Sequence, residues 1–315
     1  MKLYATDGNP IPEGATVAGV RSAGIELRVA RWRTETRRPK GTVCVVQGRN
    51  ESIEKYFETI ADLRARGFWV VAFDLRGQGG SERLVRNPRK GHVDSFSDYE
   101  ADLAAVMRDV ALPDCPPPYF ALAHSTGGMA CLRAVRSGEV RFNRIVLASP
   151  FLDFGRMRVP AGAVRAVSTF MTAVGLGELS VAGGGLRKSD ADPAFREDNV
   201  LTSDADRFMR NLGVVVQHPE LRIGAPTFGW LFAAFSAIRE LADPSFAGDF
   251  RCPLLIVGGS AERLVSLVAM EKLVGRVRGA GMVTITGGRH ELLMERDIVR
   301  EQFWAAFDAF VPGSG

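Results

Sequence analysis

The chain has 315 residues, 46% hydrophobic and 24% charged, the composition of a globular protein that buries a core without disulfide bonds. The formal net charge is only +4 and no basic block is interleaved with aromatic residues, which argues against a nucleic-acid partner. Four cysteines without a CxxC motif or regular spacing predict buried free thiols rather than disulfides or a metal site.

The sequence predicts a cytoplasmic protein that meets a membrane only at its surface. The first residues lack the apolar segment of a signal peptide. The longest apolar stretch, around residues 225–238, contains Pro and Gly and is too short to span a bilayer. We therefore expect a cytoplasmic location, peripheral to the inner membrane at most.

Taken in chain order, short apolar runs alternate with amphipathic segments in two regions. The stretches 16–20 and 25–32 alternate in polarity and predict an antiparallel pair of strands at a sheet edge. The first region then predicts the strands 42–47, 69–74, 119–123 and 145–149 and the helices 53–66, 96–110 and 129–137. The second region predicts the strands 254–257 and 282–286 and the helices 264–277 and 298–310.

The fully apolar strands indicate a mostly parallel sheet covered by helices on both faces, which is the α/β class. Residues 152–245 interrupt the rhythm: glycines occupy 183–185, and helical patterns are clearest at 203–212 and 228–241. We therefore predict a core built from residues 1–151 and 246–315, with residues 152–245 as a helical insertion between two of its strands.

A serine lies where one predicted strand turns into a helix. The strand 119–123 is followed by His-Ser-Thr-Gly-Gly, which places Ser125 at the tip of a tight strand-to-helix bend. Such a bend raises a hydroxyl toward a reacting carbonyl. Taken alone, the segment fits equally well a helix N-cap serine followed by two packing glycines.

A serine nucleophile needs a general base, which must lie near the same end of the sheet. Among the four histidines, His290 follows the strand 282–286 and so falls at the carboxyl ends of the strands, where ligands of open α/β sheets bind. His124 is adjacent to Ser125, and its side chain should point away from the hydroxyl.

The acid that orients the base has two candidates. Glu262 is the only carboxylate in the loop after the strand 254–257, and Asp153 follows the strand 145–149. Both fit the chain order of nucleophile, acid and histidine. As a purely structural residue, Glu262 would be an acid favoured by the dipole at a helix start.

Two backbone N–H groups are needed to stabilise the oxyanion of a tetrahedral intermediate. One is expected from Thr126, directly after the serine, and the other from Arg49 in the loop after the strand 42–47. Because the backbone is the donor, the Arg49 side chain should be free to vary. The glycine-rich stretch 76–81 reads as a turn rather than a dinucleotide loop, and no cofactor or metal is predicted.

These motifs resemble those of α/β-hydrolases of the monoacylglycerol lipase and bacterial lysophospholipase group. The resemblance covers nearly the whole chain in the same order, in the stretches 47–68, 73–83, 91–107, 121–129, 254–265 and 287–297, with cap-like stretches at 201–211 and 218–231. It implies the α/β-hydrolase fold with a helical cap. It also implies the catalytic triad Ser125, Glu262 and His290, with Arg49 and Thr126 as oxyanion donors.

The resemblance implies a carboxylic ester hydrolase acting on a lysophospholipid, a monoacylglycerol or a similar acyl ester, with peripheral membrane contact through the cap. Phe228 and Trp230 would line an acyl groove, although plain core packing explains them equally well. The chain departs from the group at Ala123, where the elbow usually has Gly, at Glu262, where Asp is more frequent, and at Gln47, where His is usual. The alternatives are an amidase or aminopeptidase, and a ligand-binding protein without turnover.

Overall fold

Eight strands form a single sheet, and its order sets the position of every loop discussed below. The computed structural model describes residues 1–34, 36–181 and 194–313, so the glycines at 183–185 lie outside the described residues. The strands are β1 (Thr16–Ser22), β2 (Ile25–Trp32), β3 (Thr42–Val46), β4 (Trp69–Phe73), β5 (Tyr119–His124), β6 (Arg144–Ala148), β7 (Leu254–Gly259) and β8 (Ala280–Ile285). Their order across the sheet is β1-β2-β4-β3-β5-β6-β7-β8.

Strand directions confirm the predicted α/β class. β2 runs antiparallel to both β1 and β4, and the neighbours from β4 to β8 are parallel. The alternating polarity at the start of the chain thus marks an antiparallel pair at the edge, as expected. The parallel strands bring the loops after β3, β5, β6, β7 and β8 to one end of the sheet.

The parallel strands are apolar on both faces because helices cover both faces. In β3, Cys44 and Val46 pack into one core cluster, while Val43 and Val45 pack into the other. The same alternation recurs in β4, β5, β6 and β7. Cys44, Cys115, Cys131 and Cys252 are all buried free thiols, as the cysteine spacing predicted.

Ten α-helices are described, several with bounds that differ from the sequence prediction. They are α1 (Phe57–Ala65), α2 (Phe96–Val106), α3 (Leu112–Asp114), α4 (Thr126–Arg136), α5 (Ala161–Ala173), α6 (Ala205–Gln217), α7 (Phe228–Ala242), α8 (Pro244–Asp249), α9 (Leu267–Val274) and α10 (Asp297–Phe310). Short 3-10 turns occur at Ile53–Tyr56, Pro219–Leu221 and Leu292–Met294, and α2 continues as a π-helical turn, Met107–Ala111.

Two helix starts differ from their predictions for identifiable reasons. α9 begins three residues later than predicted because the Ser266 hydroxyl accepts a hydrogen bond from the Ala269 N–H and caps the helix there. α4 begins at Thr126, earlier than predicted, because its first turn contains two glycines that carry no apolar periodicity.

Four of the described helices, α5 to α8, lie between β6 and β7. α5 was not among the clear predictions, and only its Ser168 is buried in the structure. α5 packs against α7, whose Trp230, Leu231 and Ala234 belong to the core. Within the described part of the chain, no helix is long and apolar enough to cross a membrane.

Candidate active site

Ser125 occupies a sharp turn between β5 and α4. Its backbone has φ 49° and ψ −118°, which is rare and strained for a residue with a side chain. The surrounding backbone holds this conformation: the Ser125 N–H donates to the Ala148 carbonyl, and the Ser125 carbonyl accepts from the N–H groups of Gly128 and Phe151. The turn therefore presents the hydroxyl at the carboxyl end of the sheet, and a simple helix cap does not describe it, since the side chain makes no capping bond.

The first helical turn after Ser125 must approach β3 very closely. A Cβ atom placed on Gly127 would lie 2.4 Å from the carbonyl oxygens of both Val46 and Gln47. Ala123, by contrast, is a fully buried strand residue whose methyl group lies in the core cluster. The small residue that this elbow requires is therefore Gly127, and an alanine fits at 123.

We expect Gly127→Ala to destabilise the protein because its methyl group would meet backbone atoms that cannot rotate away. Overpacking of this kind costs about 1–3 kcal/mol. The control is Gly213→Ala in α6, where an added Cβ would meet nothing within 4 Å and where alanine favours the helix by about 1 kcal/mol. Thermal and chemical unfolding measure both; equal stability of the two variants would contradict the close approach.

His290 and Glu262 complete a hydrogen-bonded chain with the serine. His290 Nε2 lies 3.1 Å from Ser125 Oγ, and His290 Nδ1 lies 2.8 Å from Glu262 Oε2. Ser125 and His290 are buried, and the Glu262 side chain is fully buried. The three side chains come from the loops after β5, β7 and β8, so the sheet order brings them together.

The environment of Glu262 keeps it ionised. Burial raises the pKa of its carboxyl, but the hydrogen bond and charge of His290 and two backbone N–H groups outweigh burial and lower the pKa below its ordinary value. Those N–H groups belong to Leu264, 2.7 Å from Oε1, and Val265, 3.3 Å from the same oxygen.

The structure does not bring Asp153 to the histidine. Its Oδ1 accepts a hydrogen bond of 2.8 Å from the Phe154 N–H, and its backbone carbonyl accepts one from Ser266. No hydrogen bond or ion pair among the described residues joins Asp153 to His290. Its carboxylate lies beside α9, in a separate surface depression with Ser266 and Lys272.

The two N–H groups expected to hold an oxyanion lie in the segments nearest the serine. Thr126 is the first residue of α4, where the helix leaves its N–H groups without intrahelical partners. Gly48, which precedes Arg49, is so close that a Cβ on it would lie 3.1 Å from Ser125 Cβ. In the described parts of the chain, no hydrogen bond is donated by the backbone N–H of Thr126 or Arg49.

The expectation that the Arg49 side chain is free to vary is wrong. Its Nη2 donates to the Gly224 carbonyl, and its guanidinium lies 5.4 Å from the centre of the Trp230 ring. Burial lowers the pKa of Arg49 to about 10, so the group stays charged near neutral pH. The side chain thus ties the loop after β3 to the segment that leads into α7.

Phe228 and Trp230 occupy different surroundings at the start of α7. Trp230 is buried and contacts the rings of Phe96 and Phe151, the latter stacked at a centroid distance of 5.9 Å. Phe228 is half-buried, and its N–H donates to the Leu179 carbonyl. Trp230 is therefore part of the packed core, and it meets the site through Phe151 and Arg49.

Gln78, which lies in the turn 76–81, holds the loop after β3 through its side chain. Gln78 Nε2 donates to the Gly48 carbonyl at 2.7 Å and to Gln47 Oε1 at 3.0 Å, and Gln78 Oε1 accepts from the Asn50 N–H. Residues 76–81 do form a turn, as predicted. The contact between this turn and the loop after β3, here called the oxyanion loop, depends on the sheet order, so no local sequence pattern predicts it.

A cavity of about 340 Å³ opens beside the loop after β3 and reaches Glu291, the residue after His290, while Ser125 and His290 are not among its lining residues. Polar side chains line one part of it, and side chains of α6 line another. The polar group includes Arg49, Glu51, Lys55 and Glu291, and the apolar group includes Phe208, Leu212, Val214 and Val215. The cavity therefore offers both a polar and an apolar surface next to the loop after β3.

Sequence comparison relates the chain to known hydrolases. A family profile described as "Serine aminopeptidase, S33" matches residues 37–297. A probable lysophospholipase L2 of Haemophilus influenzae is 30% identical over 269 residues, covering 85% of this chain and 83% of that protein. Lysophospholipase L2 of Escherichia coli is 30% identical over 298 residues, covering 88% and 81%.

Structural comparison agrees on the fold. The crystal structure of a monoacylglycerol lipase from Paleococcus ferrophilus superposes with a TM-score of 0.71, covering 91% of this chain and 99% of that one. Its sequence is only 21% identical, so this likeness establishes the α/β-hydrolase fold and nothing finer.

Proposed function

This chain belongs to the serine aminopeptidase, S33, family, and from that premise we propose that it hydrolyses monoacyl lipid esters through Ser125, His290 and Glu262. Its class is carboxylic ester hydrolase, the class of the relatives named lysophospholipase and monoacylglycerol lipase. The observation that carries the proposal is the continuous chain of hydrogen bonds from Ser125 Oγ through both ring nitrogens of His290 to Glu262.

In the proposed reaction, His290 Nε2 removes the proton of Ser125 Oγ while Oγ attacks the ester carbonyl carbon. The backbone N–H groups of Arg49 and Thr126 donate to the oxyanion that forms. When the intermediate collapses, the ester C–O bond breaks and His290 passes the proton to the leaving alcohol. Water, deprotonated by His290, then releases the carboxylic acid from the acyl-serine and restores the hydroxyl.

Glu262 remains ionised throughout this cycle. It accepts a hydrogen bond from the Nδ1–H group of His290, which leaves Nε2 unprotonated and facing the serine. When His290 becomes an imidazolium, the neighbouring carboxylate stabilises its charge. The lowered pKa of Glu262 supports this role, because the carboxylate stays charged well below the pH at which a histidine base works.

We propose that residues 152–245 form a cap over this site and that the cavity beside the loop after β3 receives part of the lipid. The half-apolar lining supports a substrate with both a polar group and an acyl chain. The half-buried Phe228 would contact the acyl chain, and Trp230 would support Phe151 and Arg49 from the core.

A substrate panel tests the proposal. It contains p-nitrophenyl esters of graded chain length, a monoacylglycerol, a lysophospholipid and an aminoacyl amide, because the family description names an aminopeptidase. We expect turnover of the acyl esters and labelling by a fluorophosphonate probe. If the amide is cleaved faster than the esters, the protein is an aminopeptidase rather than a lipid ester hydrolase. If substrates bind but are not turned over, neither activity is correct.

We also propose that the cap meets the membrane surface through α5 and the loop that follows it. Val167, Phe170 and Val174 are spaced along one side of this segment and are 50%, 64% and 50% exposed. Leu176 and Leu179, in the following loop, are also exposed. Residues 154–181 contain three arginines and one acidic residue, which favours an anionic lipid surface.

We expect Val167→Ser with Phe170→Ser to weaken binding to vesicles of phosphatidylglycerol and phosphatidylcholine. Each large apolar side chain contributes about 1.5–3 kcal/mol when it is fully buried, so the pair should cost at least tenfold in affinity. Ile298→Ser on α10, where the side chain is 67% exposed, is the matched control. Co-sedimentation measures binding, and a short-chain soluble ester checks that the site is intact; equal binding by all three proteins would contradict the proposed surface.

A further inference from the structure

The side chain of His124 lies behind the proposed active site, where it links the nucleophile turn to the histidine loop. Its Nε2 lies 3.2 Å from the backbone carbonyl oxygen of His290. Its Nδ1 lies 3.0 Å from Glu51 Oε1 and 3.2 Å from Glu51 Oε2. Both ring nitrogens thus have partners other than the serine hydroxyl.

The carboxylate of Glu51 accepts a hydrogen bond from each of its other partners. It accepts hydrogen bonds from the Gly48 N–H, from the Tyr56 hydroxyl at 2.6 Å and from Lys55 Nζ at 2.6 Å. Burial raises the pKa of Glu51, but the charges and hydrogen bonds of Lys55 and His124 lower it well below its ordinary value. Glu51 is therefore ionised and has no proton to offer His124.

Both nitrogens of His124 consequently face groups that only accept. A backbone carbonyl has no hydrogen, and neither has an ionised carboxylate. A neutral imidazole carries a single N–H and would leave one of these two contacts without a proton. The two contacts are both satisfied only when the ring carries two N–H groups.

The surrounding charges agree with an imidazolium. Lys55 Nζ bridges Glu51 and Glu291, the latter at 2.7 Å, and the ring of His290 lies 4.8 Å from that of His124. With His124 protonated, two cations face the two carboxylates of Glu51 and Glu291. Burial lowers the pKa of His124, but the charge and hydrogen bond of Glu51 outweigh burial and raise the pKa above its ordinary value.

We propose that His124 is a positioning residue that acts as an imidazolium, holding the His290 backbone so that the His290 ring stays aligned with Ser125. The same Glu51 carboxylate holds the Gly48 N–H, so one buried network fixes the nucleophile turn, the histidine loop and the oxyanion loop. The effect of His124 on kcat rests on the proposed function. The protonation state of His124 does not depend on it, because it can be measured without substrate.

The sign of the pH dependence follows from the raised pKa. The imidazolium and both of its hydrogen bonds are fully present below the ordinary histidine value of about 6.5 and persist above it. They are lost as the pH rises through the raised pKa, because a neutral ring must give up one contact. The proposal therefore predicts an alkaline fall in kcat that belongs to His124.

The first test is the protonation state, measured by ¹⁵N–¹H NMR of the histidine rings at a pH of about 6.5, the ordinary histidine pKa, where a ring with a raised pKa is mostly protonated. His92, His124, His218 and His290 are the only histidines, so the signal that disappears in His124→Gln identifies the ring. We expect N–H signals from both nitrogens of His124 in the wild type. A ring with a single N–H would overturn the proposal, and backbone-correlated spectra of the wild type give the assignment if the variant does not fold.

The second test is kinetic. We expect His124→Gln to lower kcat on the order of 10- to 100-fold with little change in KM, as misalignment of reacting groups does, and to lose the alkaline limb. His218→Gln, in a half-buried ring outside the network, should keep the wild-type profile. An unchanged kcat, or an alkaline limb that survives in His124→Gln, would overturn the positioning role. A wild type without esterase activity would instead overturn the proposed function and leave the NMR result standing.

Discussion

Ser125→Ala is expected to abolish ester hydrolysis while leaving the fold intact. Removing the nucleophile of a hydrolase triad lowers kcat by about 10⁶-fold, leaving only what substrate binding and the oxyanion donors contribute. The fold should survive because alanine keeps the Cβ that Ser125 already places at φ 49°, and the backbone bonds that hold the turn remain. Fluorophosphonate labelling and turnover of a p-nitrophenyl ester measure the loss.

Ser149 offers a closely matched control for that experiment. It too is a buried serine at the carboxyl end of a parallel strand, and it also has a positive φ, of 42°. Among the residues that the structure describes, its hydroxyl has no hydrogen-bond partner, so it is not hydrogen-bonded to His290. Ser149→Ala should therefore retain labelling and turnover within a few-fold of wild type. Loss of labelling in Ser149→Ala but not in Ser125→Ala would show that Ser125 is not the nucleophile.

The sheet could be predicted from the sequence because its signal is local. Five consecutive buried residues in β3 can be accommodated only between two covered faces, and the same pattern recurs along the chain. α5 was not among the clear predictions, although Val167 and Phe170 lie on one side of it and remain exposed in the structure.

The network behind the site could not be predicted because it is assembled only by the sheet order. His124 follows Glu51 by more than 70 residues and precedes Glu291 by more than 160. The sequence around each of them indicates nothing unusual. Glu51 looks like a loop acid and His124 like a neighbour of the nucleophile. Only the placement of β3 beside β5, with the histidine loop reaching back across the same end, shows that they share one buried cluster.

Chain order alone allowed either Glu262 or Asp153 to be the acid that orients His290. The geometry predicts opposite results for substitutions of the two. Glu262 Oε2 faces His290 at 2.8 Å, while Asp153 makes no hydrogen bond to that ring. We expect Glu262→Gln to lower kcat by about 10⁴-fold with little change in KM. Asp153→Asn should stay within a few-fold of wild type, since its Oδ1 would still accept from the Phe154 N–H.

The size of the Glu262→Gln effect follows from how the new amide must be oriented. Its oxygen would remain at the Oε1 position, where the N–H groups of Leu264 and Val265 require an acceptor. The NH₂ group would then face His290 Nδ1 and donate to it, which forces the proton of the ring onto Nε2. A ring with its proton on Nε2 cannot accept the proton of Ser125, so general-base catalysis fails although the geometry is preserved. If Asp153→Asn were the more damaging change in kcat, Glu262 would not be the acid.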